Sequence, residues 1–129
     1  MSLDEHTEAF LKGVDEYNRT YFFECHDTWE EIWMETRGPD RKFLHGLIHT
    51  AIALYHLENR NHKGAHSQFE KAFTKLESYK PRYRGIDIEK LVLHIQSKCV
   101  PVVEQLERGE KPVIDSDIFP KLVIELPSL

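Results

Sequence analysis

The chain predicts an all-α protein: a compact antiparallel bundle of about five helices with an extended carboxyl-terminal arm. Three observations carry that reading. Apolar residues recur at helical spacing through most of residues 1–109, the pattern of helices buried on one face. Glycine and proline cluster between these stretches, at Gly38-Pro39, from Pro81 to Gly85, and at Gly109, where they punctuate elements. No stretch shows the alternation of a half-buried strand, and the connections are short, which favours antiparallel neighbours.

The first predicted helix covers residues 2–18. Ser2 and Glu5 have capping-box spacing, and Asp4 and Glu5 suit the positive end of a helix dipole. Phe10, Leu11, Val14 and Tyr17 form its stripe, interrupted by Gly13, which costs about 1 kcal/mol against alanine in a helix interior. Met1, Ser2 and Leu3 are set aside from functional reasoning. The second helix covers residues 21–36 and stops at Gly38-Pro39, because glycine accepts the left-handed cap and proline cannot continue the ladder. Asp40 is then placed to cap the third helix, residues 41–58.

That third helix is apolar nearly all round: Phe43, Leu44, Leu47, Ile48, Ala51, Ala53, Leu54, Tyr55 and Leu57 spread over most of its circumference. Such a helix belongs at the centre of a bundle. Its remaining stripe holds His45, His49, Ile52 and His56. The fourth helix, residues 63–79, packs through Ala65, Phe69, Ala72, Phe73 and Leu76. Asp87 caps the fifth, residues 88–108, which Pro101 should kink. Residues 110–129 contain Pro112, Pro120 and Pro127 among many apolar residues. This predicts an arm laid over the 1–109 bundle, or over a second copy as a homodimer, rather than a solvated tail.

Totals narrow the function. A 129-residue chain with 40% hydrophobic and 30% charged residues is long enough for one real core. Its net charge of -5 and lack of a basic block speak against a nucleic-acid partner. No apolar run reaches the ~20 residues of a membrane span, so no membrane is expected. No charged-then-apolar leader pattern opens the chain. Cys25 and Cys99 fit no disulfide framework or zinc spacing and read as reduced thiols of a cytoplasmic protein.

Chemistry concentrates in the second and third helices. His26, Glu30 and Trp33 stand at i, i+4 and i+7 and therefore share one side of a helix, together with Phe22, Trp29 and part of Phe23. A histidine and a carboxylate on an apolar face need partners. Read from the residues, the pair is a buried polar bridge that fixes helix register, beside an apolar pocket lined by Trp33, Tyr55 and His56. A second reading is a divalent metal site. His45 and His49 are spaced as two ligands on one helix, and His26 and Glu30 would supply two more from a facing helix. A third is metal-free acid–base chemistry by His26 oriented by Glu30, although no activated nucleophile accompanies them. Trp29 and Trp33 read as core or helix-contact residues.

The runs FFECHDTWEEIW and KFLHGLIHTAIALYHLENRNHKGA, followed by KLESYKPRYRGID, resemble the all-helical family called domain of unknown function 309. The matching residues are His26, Glu30 and Trp33, then Gly46, Leu47, Ile48, Tyr55 and His56, then Gly64 and Ala65. The similarity runs from about residue 17 to 106. It implies a small all-helical bundle and no established activity. It also implies glutamine in many relatives where this chain has His45 and His49, particularly at His49, and a smaller aliphatic residue where it has Trp29. Glutamine is a poor metal ligand but a good hydrogen-bonding neighbour, which weighs against the metal reading. The expectation is therefore a non-enzymatic structural or interaction module, with an unidentified protein or small-molecule partner and no cofactor. A metal-dependent enzyme, such as a hydrolase, using His26, Glu30, His45 and His49 is the alternative.

Overall fold

The computed structural model describes residues 2–125. A single 3-10 turn, Leu3–His6, leads into α1, Thr7–Asn18. Then come α2, Phe22–Trp33, α3, Pro39–Glu58, and α4, His62–Leu76, which tightens into a 3-10 turn over Glu77–Tyr79. A two-stranded hairpin, β1 Arg82–Tyr83 and β2 Ile86–Asp87, precedes α5, Ile88–His94. A π-turn, Ile95–Cys99, joins α5 to α6, Val100–Glu107.

The central position of α3 holds. It packs on α2 and α4, while α1 lies on α2 and α6 on α4. Phe43, Leu44, Leu47, Ile48, Ala51, Ala53, Leu54 and Leu57 are all buried. Pro39 occupies its first turn, where a missing N–H costs nothing. The ends of α1 and α3 close with paired i→i−5 and i→i−3 bonds, Tyr21 N–H to Glu16 O with Thr20 N–H to Tyr17 O, and Asn61 N–H to His56 O with Arg60 N–H to Leu57 O. This is the Schellman arrangement. Thr20 and Arg60 supply the left-handed residue, at φ 63° and 59°.

On α2 the buried stripe is Phe22, Cys25, Trp29 and Ile32. Trp29 is fully buried, stacks on Phe10 and Tyr17 at 5.8 and 6.2 Å, and donates from Nε1 to Phe10 O at 3.1 Å. The indole therefore pins α1 to α2 with its one polar atom satisfied.

Four expectations need correction. The segment from Pro81 to Gly85 is not a plain loop: Arg84 and Gly85, at φ 49° and 78°, form the two-residue turn of the hairpin. Asp40 does not cap α3. It sits inside the first turn, buried, and accepts from Leu3 N–H (3.0 Å), Tyr83 OH (2.6 Å) and both Arg84 Nε and Nη2 (2.7 Å each). Burial alone would raise the Asp40 carboxyl, but Arg84, Tyr83 and Leu3 outweigh it and hold it below the usual carboxylate range. Leu3, set aside above, is a buried core residue. Pro101 does not lie within one continuous α-helix: a π-turn interrupts the element just before it, where Val100 N–H reaches back five residues to Ile95 O.

The arm lies on its own bundle. Asn18 holds Leu122 at both backbone groups, Nδ2 donating to Leu122 O (2.9 Å) and Oδ1 accepting from Leu122 N–H (2.8 Å). Phe119 packs on Phe22, and Glu125 N–H donates to Gly85 O at 2.7 Å. The part of the arm from residue 126 to 129, with Pro127, lies outside the described residues.

Candidate functional site

The sequence-predicted residues divide into two clusters that the fold keeps apart. In the first, α2 presents Phe22, Phe23 and His26 to Ile52, Tyr55 and His56 of α3. Together they line an open apolar cleft of about 190 Å³. His26 Nε2 lies 2.6 Å from Glu30 Oε2, and its Nδ1 lies 3.6 Å from Asp27. The pair forms, yet it is not a buried bridge: the Glu30 side chain is 52% exposed and that of His26 22%. The cause is rotational. The core face of α2 is centred on Cys25 and Trp29, and each next residue turns ~100° away, which leaves His26 at the edge and Glu30 in solvent. The pair therefore cannot organise the core.

His56 has a structural task at the turn into α4. Its Nδ1 accepts from Asn61 Nδ2 at 3.2 Å, while Asn61 Oδ1 caps α4 by accepting from Gly64 N–H at 3.1 Å. A Cβ on Gly64 would come within 2.7 Å of the His56 ring. The motif residues His56 and Gly64 thus belong to one helix corner.

The second cluster is a file of rings. Trp33 does not line the apolar cleft. It lies 4.5 Å from His45, which lies 4.3 Å from His49. Its Nε1 donates to Arg41 O (3.1 Å), and the Arg41 guanidinium stands 3.9 Å over its ring. His49 Nδ1 donates to Gln68 Oε1 at 2.6 Å. Burial, then the positive neighbours His49, Lys75, Arg41 and Lys71, push His45 down to about 4. Burial likewise lowers His49, although the Gln68 contact opposes it.

This separation corrects the four-ligand proposal. His26 with Glu30 and His45 with His49 are not brought to one point. Among the described residues no three His, Cys, Asp or Glu side chains are grouped to hold a metal ion. Sequence reasoning missed Arg41 and Gln68, which fix Trp33 and His49, and Arg84, which completes Asp40 from 44 residues away. Nothing in local spacing signals such long-range partners. Cys25 and Cys99 are free and buried, with their thiols raised mainly by burial, Cys25 above the ordinary range and Cys99 to about 12.

These features define a small all-helical bundle with a side-chain-sized apolar cleft and a separate stack of rings. Over residues 10–68 the chain matches the model of the family described as Domain of unknown function (DUF309). That stretch contains both clusters' residues on α2 and α3. The chain is also similar to the uncharacterized protein YpuF of Bacillus subtilis (strain 168), 32% identical over 104 residues. The match covers 78% of this chain and 58% of that relative, so the chain spans less than two thirds of its length. No helix among the described residues is long and apolar enough to cross a membrane.

Proposed function

We propose that this protein is a non-enzymatic interaction module whose α2–α3 cleft seats one apolar side chain of a partner segment, with basic residues of that segment beside the anchor. The observation that carries this is the cleft's composition. Phe22, Phe23, Ile52 and Tyr55 supply an apolar floor, and Phe23 remains 50% exposed. Glu24, Asp27, Glu30 and Glu58 are exposed carboxylates around this region. Asp27 and Glu30 flank His26, and Glu58 has its carboxyl raised by burial and by the negative charge of Glu24. An apolar centre within a charged rim is the usual anatomy of a protein interface, and the sign of the rim selects a basic partner. Size favours a single side chain here: about 190 Å³ is below the ~300 Å³ of pockets that bury drug-sized ligands. The free, buried thiols support a cytoplasmic setting.

The test is a fluorescence or NMR titration with short peptides carrying one leucine or phenylalanine between lysines, against the same peptides with glutamates. The lysine series should bind, and Phe23→Ala should weaken it about tenfold, or about 1.4 kcal/mol. Equal binding of the glutamate series, or binding indifferent to Phe23→Ala, refutes the reading.

A further inference from the structure

A second cleft, of about 280 Å³ and sharing no lining residue with the first, is formed by Trp33, Gly38, Arg41, Lys42, His45 and Lys75. Its charge is anomalous for a chain of net charge -5. Among the described residues, Arg37, Arg41, Lys42, Lys71 and Lys75 have no carboxylate within ion-pair distance. The cations are also held near one another. Arg37 Nη1 and Arg41 Nη1 both donate to Thr36 O, at 3.1 and 3.0 Å, so two guanidinium groups converge on one carbonyl. Arg41 donates again to Trp33 O at 2.9 Å and stands over the indole. Its side chain is thus fixed before any ligand arrives, while Nε and Nη2 make no hydrogen bond among the described residues. Lys42 follows on α3, and Lys75 enters from α4. Burial is the main reason the His45 cation is disfavoured, and the charges of Lys75, Arg41 and Lys71 add to it.

Like charges gathered without counter-charge destabilise the fold unless something negative joins them. A planar guanidinium with free donors, joined by ammonium groups from two helices, matches the several oxygens of a phosphate better than the two of a carboxylate. We propose that this cleft binds a phosphate dianion, free or as a monoester, with Arg41, Lys42 and Lys75 as its ligands and Trp33 as the platform that positions Arg41. His45 stays neutral beside it in the empty site. The phosphate site is independent of the apolar cleft and stands or falls separately.

The experiment titrates the full chain with inorganic phosphate, with glycerol phosphate, and with chloride at matched ionic strength, following the Trp33 indole and the His45 ring by NMR. Both phosphates should give saturable shifts that chloride does not reproduce. Lys75→Gln and the exposed Lys42→Gln should each weaken binding by about fivefold or more, with thermal melting retained. Bound dianion should raise the His45 pKa by about one pH unit or more, as an opposite charge within a few ångströms does. Tighter binding of the ester assigns a phosphorylated ligand; equal binding assigns the free ion. Shifts that never saturate, that chloride reproduces, or that survive both lysine substitutions overturn the site.

Discussion

Replacing Gly13 by alanine should destabilise this protein, although the substitution improves a helix. In isolation Gly→Ala in a helix interior gains about 1 kcal/mol. Here an ideal Cβ would stand 2.1 Å from Trp29 Nε1, 2.4 Å from Cδ1 and 2.7 Å from Cε2. Real atoms do not approach so closely, so either the indole or the α1 backbone must move. The indole is fully buried between Phe10 and Tyr17, so a shift overpacks the core at about 1–3 kcal/mol. The same shift strains or breaks the Nε1–H bond to Phe10 O, and an unsatisfied buried donor adds about 1–3 kcal/mol. Against the propensity gain, the net loss should be about 2 kcal/mol. Urea unfolding followed by tryptophan fluorescence and by circular dichroism measures it. The decisive control is Trp29→Leu. Each single substitution should destabilise, but the pair should be less costly than their sum by about 1 kcal/mol or more, because both act on one contact. If Gly13→Ala equals or exceeds the parent in stability, or if the two effects simply add, the packing argument fails.

Predictions at two further positions follow from the structure. Asp40→Ala should cost about 2–3 kcal/mol, since it leaves the partly exposed Arg84 without its principal partner. The pH dependence has a defined sign. The Asp40 carboxyl is held below its ordinary value of 3.8, so its contribution is fully present above that pH and is lost as pH falls through the lower folded value. An Asp40→Asn variant should flatten this acid limb in a series of urea midpoints, and an unchanged limb would contradict the assignment. Asn18→Ala should release the arm, with a loss of about 1–2 kcal/mol and faster amide exchange at Leu122 than in α3. Uniform exchange across both would show that the arm does not depend on that side chain.

Much of the bundle was legible because its signals are local. The stripe Phe43, Leu47, Leu54 with Leu44, Ile48 and Ala51 marked α3 as central, and Gly38-Pro39 marked the stop before it. The hairpin was not legible: two residues per strand are too few to alternate, and Arg84 occupies a turn position where asparagine or glycine would have announced it. The site was legible in its membership more than in its burial. Spacing showed that His26, Glu30 and Trp33 share a side, but a 3.6-residue period does not say how far that side is turned from the core. The apolar centre falls on Cys25 and Trp29, so Glu30 faces water and Trp33 faces Arg41 and His45. Trp29 reads from the sequence as a core or helix-contact residue, and it is fully buried. Its environment shows that it and Gly13 are mutually fitted, one large because the other is small.

The carbonyl of Ile118 is shared by two groups of the bundle. His94 Nε2 donates to it at 3.0 Å and Cys99 Sγ at 3.2 Å. The thiol is therefore shielded by the very segment it holds. Cys25, by contrast, lies on the core face of α2 beside Trp29. A gentle alkylating reagent would read these two sulfur atoms as separate clocks. The mark on Cys99 would accumulate at the frequency with which the strap lifts, and that on Cys25 only when α1 and α2 come apart.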